Sequence, residues 1–144
     1  MAGAVVADLR KEINNLQVLL NTNKVDREVL TTMQALTSDR IFTKGQDAVG
    51  QQIGVYSRGY IKVRIRKGFG TSRKVILQLT QQMRNDWSVI IKGKDLGLGF
   101  KNKFNFDKSL FVEKTYKKPI FKHTPQELTK MKQVYGAAVK RHFK

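Results

Sequence analysis

Cysteine is absent from the 144 residues, which removes a disulfide framework, thiolate catalysis and cysteine-ligated zinc from the chemistry open to this chain. A fold held by burial alone, as suits a reducing cytosol, is expected. Proline occurs only at Pro119 and Pro125, and no low-complexity or proline-rich linker divides the chain. Histidine is equally scarce: His123 and His142 form no HExxH or HxxxH pair that could hold a metal on one helix face, so both are read as structural or solvent-facing. No run approaches the about 20 consecutive apolar residues of a membrane span. The start MAGAVVADLR meets Asp8 before a signal-peptide core can form, so a soluble, non-secreted protein without membrane contact is expected.

Acid is the other scarcity. Eleven Asp and Glu stand against 28 Lys and Arg, a formal charge of +17 on a chain that is 40% hydrophobic. That apolar fraction is too high for a disordered polybasic tail, and a chain of this length buries roughly 68–70% of its unfolded surface around one core. Residues 1–144 are therefore expected to form a single domain. The charge is uneven: residues 1–50 carry six side chains of each sign, residues 51–100 ten basic and two acidic, and residues 101–144 twelve and three. Self-repulsion of this size calls for an anionic partner, whether nucleic acid, a lipid headgroup or an acidic protein face.

Apolar periodicity organises the chain. Residues 1–41 read as a neutral helical part. Val5, Leu9, Ile13 and Leu16 recur at helical steps, and after Asn23 a second helix runs toward Arg40 with Val25, Val29, Met33 and Leu36 on one side. Residues 51–100 read as a basic, β-rich part. Ile61, Val63 and Ile65 alternate with Lys62, Arg64 and Arg66, the period of a half-buried strand, although Lys62 and Arg66 also lie four apart as on a helix. After the Gly68–Ser72 loop, Val75–Leu79 would complete a hairpin. A short polar or helical turn at Gln81–Asp86 follows, and Trp87–Lys92 would pair with Leu96–Phe100 across Gly93-Lys94-Asp95. Residues 101–122 read as an extended loop rich in lysine and aromatic residues. Residues 124–142 form a helix announced by Thr124-Pro125-Gln126-Glu127, with a capping hydroxyl, proline at the first helical position and glutamate at the third. The expected fold is α+β, a small antiparallel sheet of about four strands packed with N-terminal and C-terminal helices.

The chemistry-bearing residues point away from catalysis. Asp107 and Glu113 lie among lysines, which hold carboxylates ionised, so they read as charge partners and not as general acids. The Lys67–Lys74 loop is rich in glycine and cations but does not match GxxxxGK[ST], and a strand-connecting turn is the better reading. The hairpin would gather Lys62, Arg64, Arg66, Lys67, Arg73 and Lys74 around one face, as candidates to face DNA or an acidic partner; such a face meets phosphates without reading sequence. Phe100, Phe104, Phe106, Phe111, Tyr116 and Phe121 are interleaved with seven lysines between Phe100 and Lys122. Aromatic residues between cations can stack on single-stranded bases, but without an RRM or cold-shock motif they read as anchors for core or subunit packing. No catalytic residue, metal or cofactor is expected.

An ordered series of motifs spans about residues 38–142. It runs Arg40-Ile41-Phe42, Gly45, Asp47 and Gly50; Tyr56-Ser57 with Arg64 and Gly68; Val75, Leu77, Leu79-Thr80, Met83 and Ser88; Gly97-Leu98-Gly99-Phe100; Glu113; Pro119-Ile120-Phe121; and the final helix. This series resembles the tail-completion or neck proteins of tailed bacteriophages, the virion-morphogenesis proteins of the head-to-tail connector. The chain departs from the family at Gln81, where a glycine usually follows the threonine, and at Ile120, which separates Pro119 from Phe121. The resemblance implies a structural, non-catalytic homo-oligomer without cofactor: a ring of roughly six or twelve copies under a portal or adaptor ring protein, joined to tail proteins. Double-stranded genomic DNA would pass through it in the virion neck, the subunit having been made in the host cytoplasm. The alternative is a free basic nucleic-acid-binding protein, ribosome-like or a DNA-binding module.

Overall fold

A computed structural model describes residues 24–77, 81–92 and 95–142, together with Lys11 and Asn14. The helix expected over residues 4–20 lies outside the described residues. Helix α1 (Lys24–Ser38) buries Val25, Val29, Met33 and Thr37, one residue per turn, and carries Asp26 in its first turn where the helix dipole favours an anion. It continues into a π-helical turn, Asp39–Thr43, in which Lys44 N–H bonds to Asp39 O at 2.9 Å. The wider turn resets the helical phase, and Arg40, Ile41 and Phe42 are all buried in succession.

The loop that follows is tightly braced. Asp47 is buried, and its Oδ1 accepts from the backbone N–H groups of Val49 and Gln51 at 2.9 and 3.0 Å. Gly45 sits at φ +66°, and a Cβ there would stand 2.1 Å from Val75 O. Both the left-handed backbone and the collision with a carbonyl oppose any side chain, so Gly45→Ala is expected to cost more than about 2 kcal/mol, read as a lower urea midpoint.

Helix α2 (Arg58–Arg66) starts at Ser57, whose Oγ accepts from Tyr60 N–H at 3.2 Å. It replaces the strand expected at Tyr60–Arg66. Ile61 and Arg64 are its buried residues, three apart, while Ile65 is exposed. The second member of the inward stripe is thus an arginine, which an apolar period cannot register. Val75 does not pair with this segment either; Tyr56 N–H bonds to Arg73 O at 2.6 Å and Val75 N–H to Gly54 O at 3.0 Å, with an isolated bridge between Val55 and Lys74. The expected hairpin is therefore corrected, and residues 78–80 at its end lie outside the described residues.

Helix α3 (Gln82–Asp86) leads into β1 (Trp87–Lys92) and β2 (Asp95–Phe100), paired antiparallel with Trp87 opposite Phe100 and Lys92 opposite Asp95. This second expected hairpin forms. Among the described residues the fold is α+β with five α-helices and one two-stranded sheet, so the sheet of about four strands is overturned.

Residues 103–116 are helix α4 (Lys103–Tyr116), not an extended loop. Asn102 caps it, with Oδ1 accepting from Phe104 N–H at 2.8 Å, and Lys117 ends it in the left-handed conformation at φ 54°. The Glu113 carboxylate then fixes the exit by accepting from the N–H groups of Ile120 and Phe121 at 2.8 and 3.1 Å. Helix α5 (Pro125–His142) begins as expected, with Thr124 Oγ1 accepting from Glu127 N–H at 3.0 Å. Two clusters form the interior. The larger joins Ile41, Phe42, Ile53, Val75, Trp87 and Ile120 with their neighbours, and the smaller packs Val25, Val29 and Met33 of α1 against Ala138 of α5. Trp87 links them through Nε1, which donates to Thr37 Oγ1 at 2.7 Å.

Candidate functional site

Helical periodicity decides which cations face outward. On α2, Arg58, Lys62 and Arg66 are spaced four apart and all exposed, which places them on one face. Lys67 follows at the helix end, and the turn through residues 68–72 returns the chain to Arg73 and Lys74, both exposed. Arg73 Nε donates to Tyr56 O at 3.0 Å and Arg66 Nε to Lys62 O at 3.5 Å. Among the described residues none of these six cations pairs with a carboxylate. Arg58 was not legible as a member while the segment read as a strand; its four-residue spacing from Lys62 and Arg66 is the signal that finds it.

Arg64 is the exception in the expected set. It is 1% exposed, with its guanidinium carbon 4.5 Å from the Tyr56 ring centroid and 5.3 Å from that of Phe69. Its Nη1 lies 3.5 Å from the Tyr56 hydroxyl, and its Nε has no hydrogen-bond partner. Two aromatic faces offset part of the desolvation of this charge. A side chain so enclosed meets no external phosphate, and Arg64 is corrected from an anion-facing residue to a core residue.

The aromatic residues divide in the same way. Phe100 is buried and stacks edge-to-face on the partly buried Phe121, with ring centroids 5.3 Å apart, so these two pack within the chain and not between subunits. Tyr116 is half-buried against the same core. Phe104, Phe106 and Phe111 are exposed, Phe111 by 69%, and Leu110 beside them is exposed too. Helix α4 is inverted relative to an ordinary amphipathic helix, because its inward residues include Asn105 and Ser109. Asn105 Nδ2 donates to Asp86 Oδ2 at 3.0 Å, and Ser109 Oγ donates to Phe106 O at 2.6 Å. Lys108 Nζ sits 4.4 Å from the Phe104 centroid and 3.2 Å from Gln82 Oε1.

Between α4 and the segment leading into α2 lies an open groove of about 590 Å³, lined by Tyr56, Tyr60, Met83, Phe111, Val112 and Tyr116 among others, with Lys108 at its edge. Burial, reinforced by the neighbouring Tyr56, pushes the Tyr60 and Tyr116 phenols above their ordinary value, so both remain neutral and act as apolar walls. A second groove of about 680 Å³ lies among α1, β2 and α5, lined by Leu30, Leu96, Met131 and Tyr135 with Asp26, Asp95 and Lys132.

Titratable side chains elsewhere have structural partners. Glu127 bonds Arg40 and approaches His123 Nδ1 at 3.4 Å; Glu28 bonds Arg141 and approaches His142 Nε2 at 3.2 Å. Asp107 pairs with Lys103 at 2.8 Å as expected of a charge partner, whereas Glu113 serves backbone N–H groups instead. Among the described residues no three His, Asp or Glu side chains cluster to hold a metal, and no helix is long and apolar enough to cross a membrane. Scans against protein-family models, curated proteins and solved structures find no match to this chain.

Proposed function

We propose that the chain is a non-catalytic assembly subunit of a tailed-bacteriophage virion, a neck or tail-completion protein that forms an oligomeric ring at the portal–tail junction through which genomic DNA passes. The observation that carries this reading is that members of the ordered motif series hold one another or the residues beside them. Arg40 donates to the carbonyls of Ile120 and Lys122 at 3.0 and 2.8 Å, Ala48 N–H reaches Pro119 O at 2.9 Å, Glu113 fixes Ile120 and Phe121, and Phe100 stacks on Phe121. An ordered series acquires a physical cause when its members form one nucleus, since losing any of them loosens the rest. The departure at Gln81 supports the same reading. Gln81 adopts φ +56°, a conformation glycine enters freely, so the family's glycine would sit without strain at this point.

The outer features fit an assembly role. Exposed phenylalanines on α4 offer a docking face, and the cations of α2 and its loop offer a sequence-blind surface to DNA or to an acidic ring. The withdrawal of Arg64 into the core lowers the number of phosphates such a surface can hold, which limits drag on sliding DNA. The test is to mix the purified protein with portal complexes of the phage whose genome encodes it. Ring particles in electron microscopy and co-sedimentation are expected, and the absence of both would sink the reading.

The Arg58-Lys62-Arg66 stripe favours one rival, a free nucleic-acid-binding module. It requires submicromolar binding of duplex by the monomer with a steep log-salt slope, whereas a connector binds free duplex feebly at physiological salt.

A further inference from the structure

Nine carboxylate side chains lie among the described residues, and their partners separate them sharply. Glu28, Asp39, Asp107 and Glu127 pair with cations; Asp86 and Glu113 accept from N–H groups, and Asp47 does both, with Lys118 as its cation. Asp26 and Asp95 have neither kind of side-chain partner among the described residues, and both line the second groove. In a chain of charge +17, two carboxylates without a partner among the described residues, set with Lys132 around one largely apolar groove, are a placement that calls for an occupant.

The first groove is its complement. Its apolar wall carries Phe111 and the exposed Val55, and its charged edge is Lys108. Lys108 has a ring and an amide for neighbours and no carboxylate partner among the described residues. The two grooves share no lining residue; one is built mainly on α4 and residues 55–57 before α2, the other on α1, β2 and α5.

We propose that the α4 face of one copy docks into the α1/α5 groove of a second copy, with Phe111 and its neighbours meeting Leu30, Leu96, Met131 and Tyr135 while Lys108 meets Asp26 and Asp95. A face-to-face contact of two α4 surfaces would oppose cation to cation, so the favoured contact joins unlike patches. Such a heterologous contact propagates and closes into a ring or continues as a filament, depending on its rotation. The inference rests on the ring reading only for the fact of self-assembly and assigns its two surfaces.

Two variants separate the outcomes: Lys108→Glu/Phe111→Asp disables the first patch, and Asp26→Asn/Asp95→Lys the second. Sedimentation velocity from 10 μM to about 1 mM is expected to show assembly of the unaltered protein and monomers for each variant, with unchanged far-ultraviolet circular dichroism because these side chains are not core residues. An equimolar mixture of the variants retains one good patch of each kind and is expected to yield dimers and nothing larger. Assembly that survives both variants, or that the first abolishes and the second leaves intact, overturns the unlike-patch contact. A monomer throughout overturns self-docking and leaves the α4 face to a partner of different sequence. Portal-templated rings indifferent to both variants would sink this contact while sparing the neck reading; assembly through the patches without portal binding would do the reverse.

Discussion

Arg40→Met is expected to lower stability by about 3–5 kcal/mol, seen as a fall of roughly 10–20 °C in the thermal midpoint. The guanidinium is almost entirely buried, and it bonds the Glu127 carboxylate, the carbonyls of Gln46 and Ile120 at 3.1 and 3.0 Å and that of Lys122 at 2.8 Å. Methionine fills much of the volume but satisfies none of these acceptors, and the largest cost is a carboxylate left buried without its cation. Glu127→Gln should cost less, because the amide oxygen still accepts one bond. A double variant, Arg40→Met with Glu127→Leu, should recover most of the loss, as apolar replacements of buried pairs often do. If Arg40→Met unfolds at the same urea concentration as the unaltered chain, this node is not what joins the π-helical turn to α5.

The same node gives stability a pH dependence. Burial works to raise the Glu127 carboxyl, but the hydrogen bonds from His123 and Arg40, the Arg40 charge and the Thr124 bond together outweigh it, and the net shift is below the ordinary value of 4.5. A carboxylate depressed in the folded state contributes stability that is complete above its unfolded value and is lost as pH falls through its folded value. Stability should therefore decline on acidification below about pH 4.5, and Glu127→Gln should flatten that decline.

What was legible in the sequence follows from what each residue does. Helix α1 and the start of α5 were legible because Val25, Val29 and Met33 repeat with the helical period and Thr124 caps as its type and spacing require. The β1–β2 hairpin was legible because β-branched and aromatic residues flank a glycine-bearing turn. Helix α2 was misread because its inward stripe pairs Ile61 with a buried arginine and leaves Ile65 outside; over so short a run, alternation and helix are degenerate. Helix α4 was misread for the opposite reason, with polar Asn105 and Ser109 inside and three phenylalanines outside. Both failures arise where a side chain does something other than bury itself by polarity, and in α4 the result is three exposed phenylalanines. Of the candidate anion-facing set five residues are exposed, since exposure follows from charge for all but the one arginine that finds two aromatic rings. The second groove was not legible, because Asp26 and Asp95 line one groove only when α1 lies beside the end of the hairpin.

Replacing Arg58, Lys62, Arg66, Lys67, Arg73 and Lys74 by glutamine is expected to remove most of the salt-dependent part of polyanion binding. Each neutralised phosphate contributes about −0.9 to the slope of log affinity against log salt, so six contacts give roughly −5 and a loss of about a thousandfold between 50 and 200 mM salt. Changing only Arg58, Lys62 and Arg66 should halve that slope, to about −3. Arg64→Met supplies the contrast: a cation 1% exposed releases no counterion on binding, so the slope should remain at roughly −5. Its effect on stability should be small, within about 1 kcal/mol, because loss of the stacking on Tyr56 and Phe69 is offset by removal of a buried charge that no carboxylate among the described residues neutralises. Fluorescence anisotropy of a labelled duplex from 20 to 200 mM salt separates the cases. A slope that falls with Arg64→Met but not with the α2 triple would mean that the duplex reaches the Tyr56–Phe69 interior and that the outer stripe is only a solvated face. A slope set by α2 with weak affinity at physiological salt is what DNA sliding through a ring requires, since contacts must be numerous enough to keep the duplex centred and each weak enough to exchange.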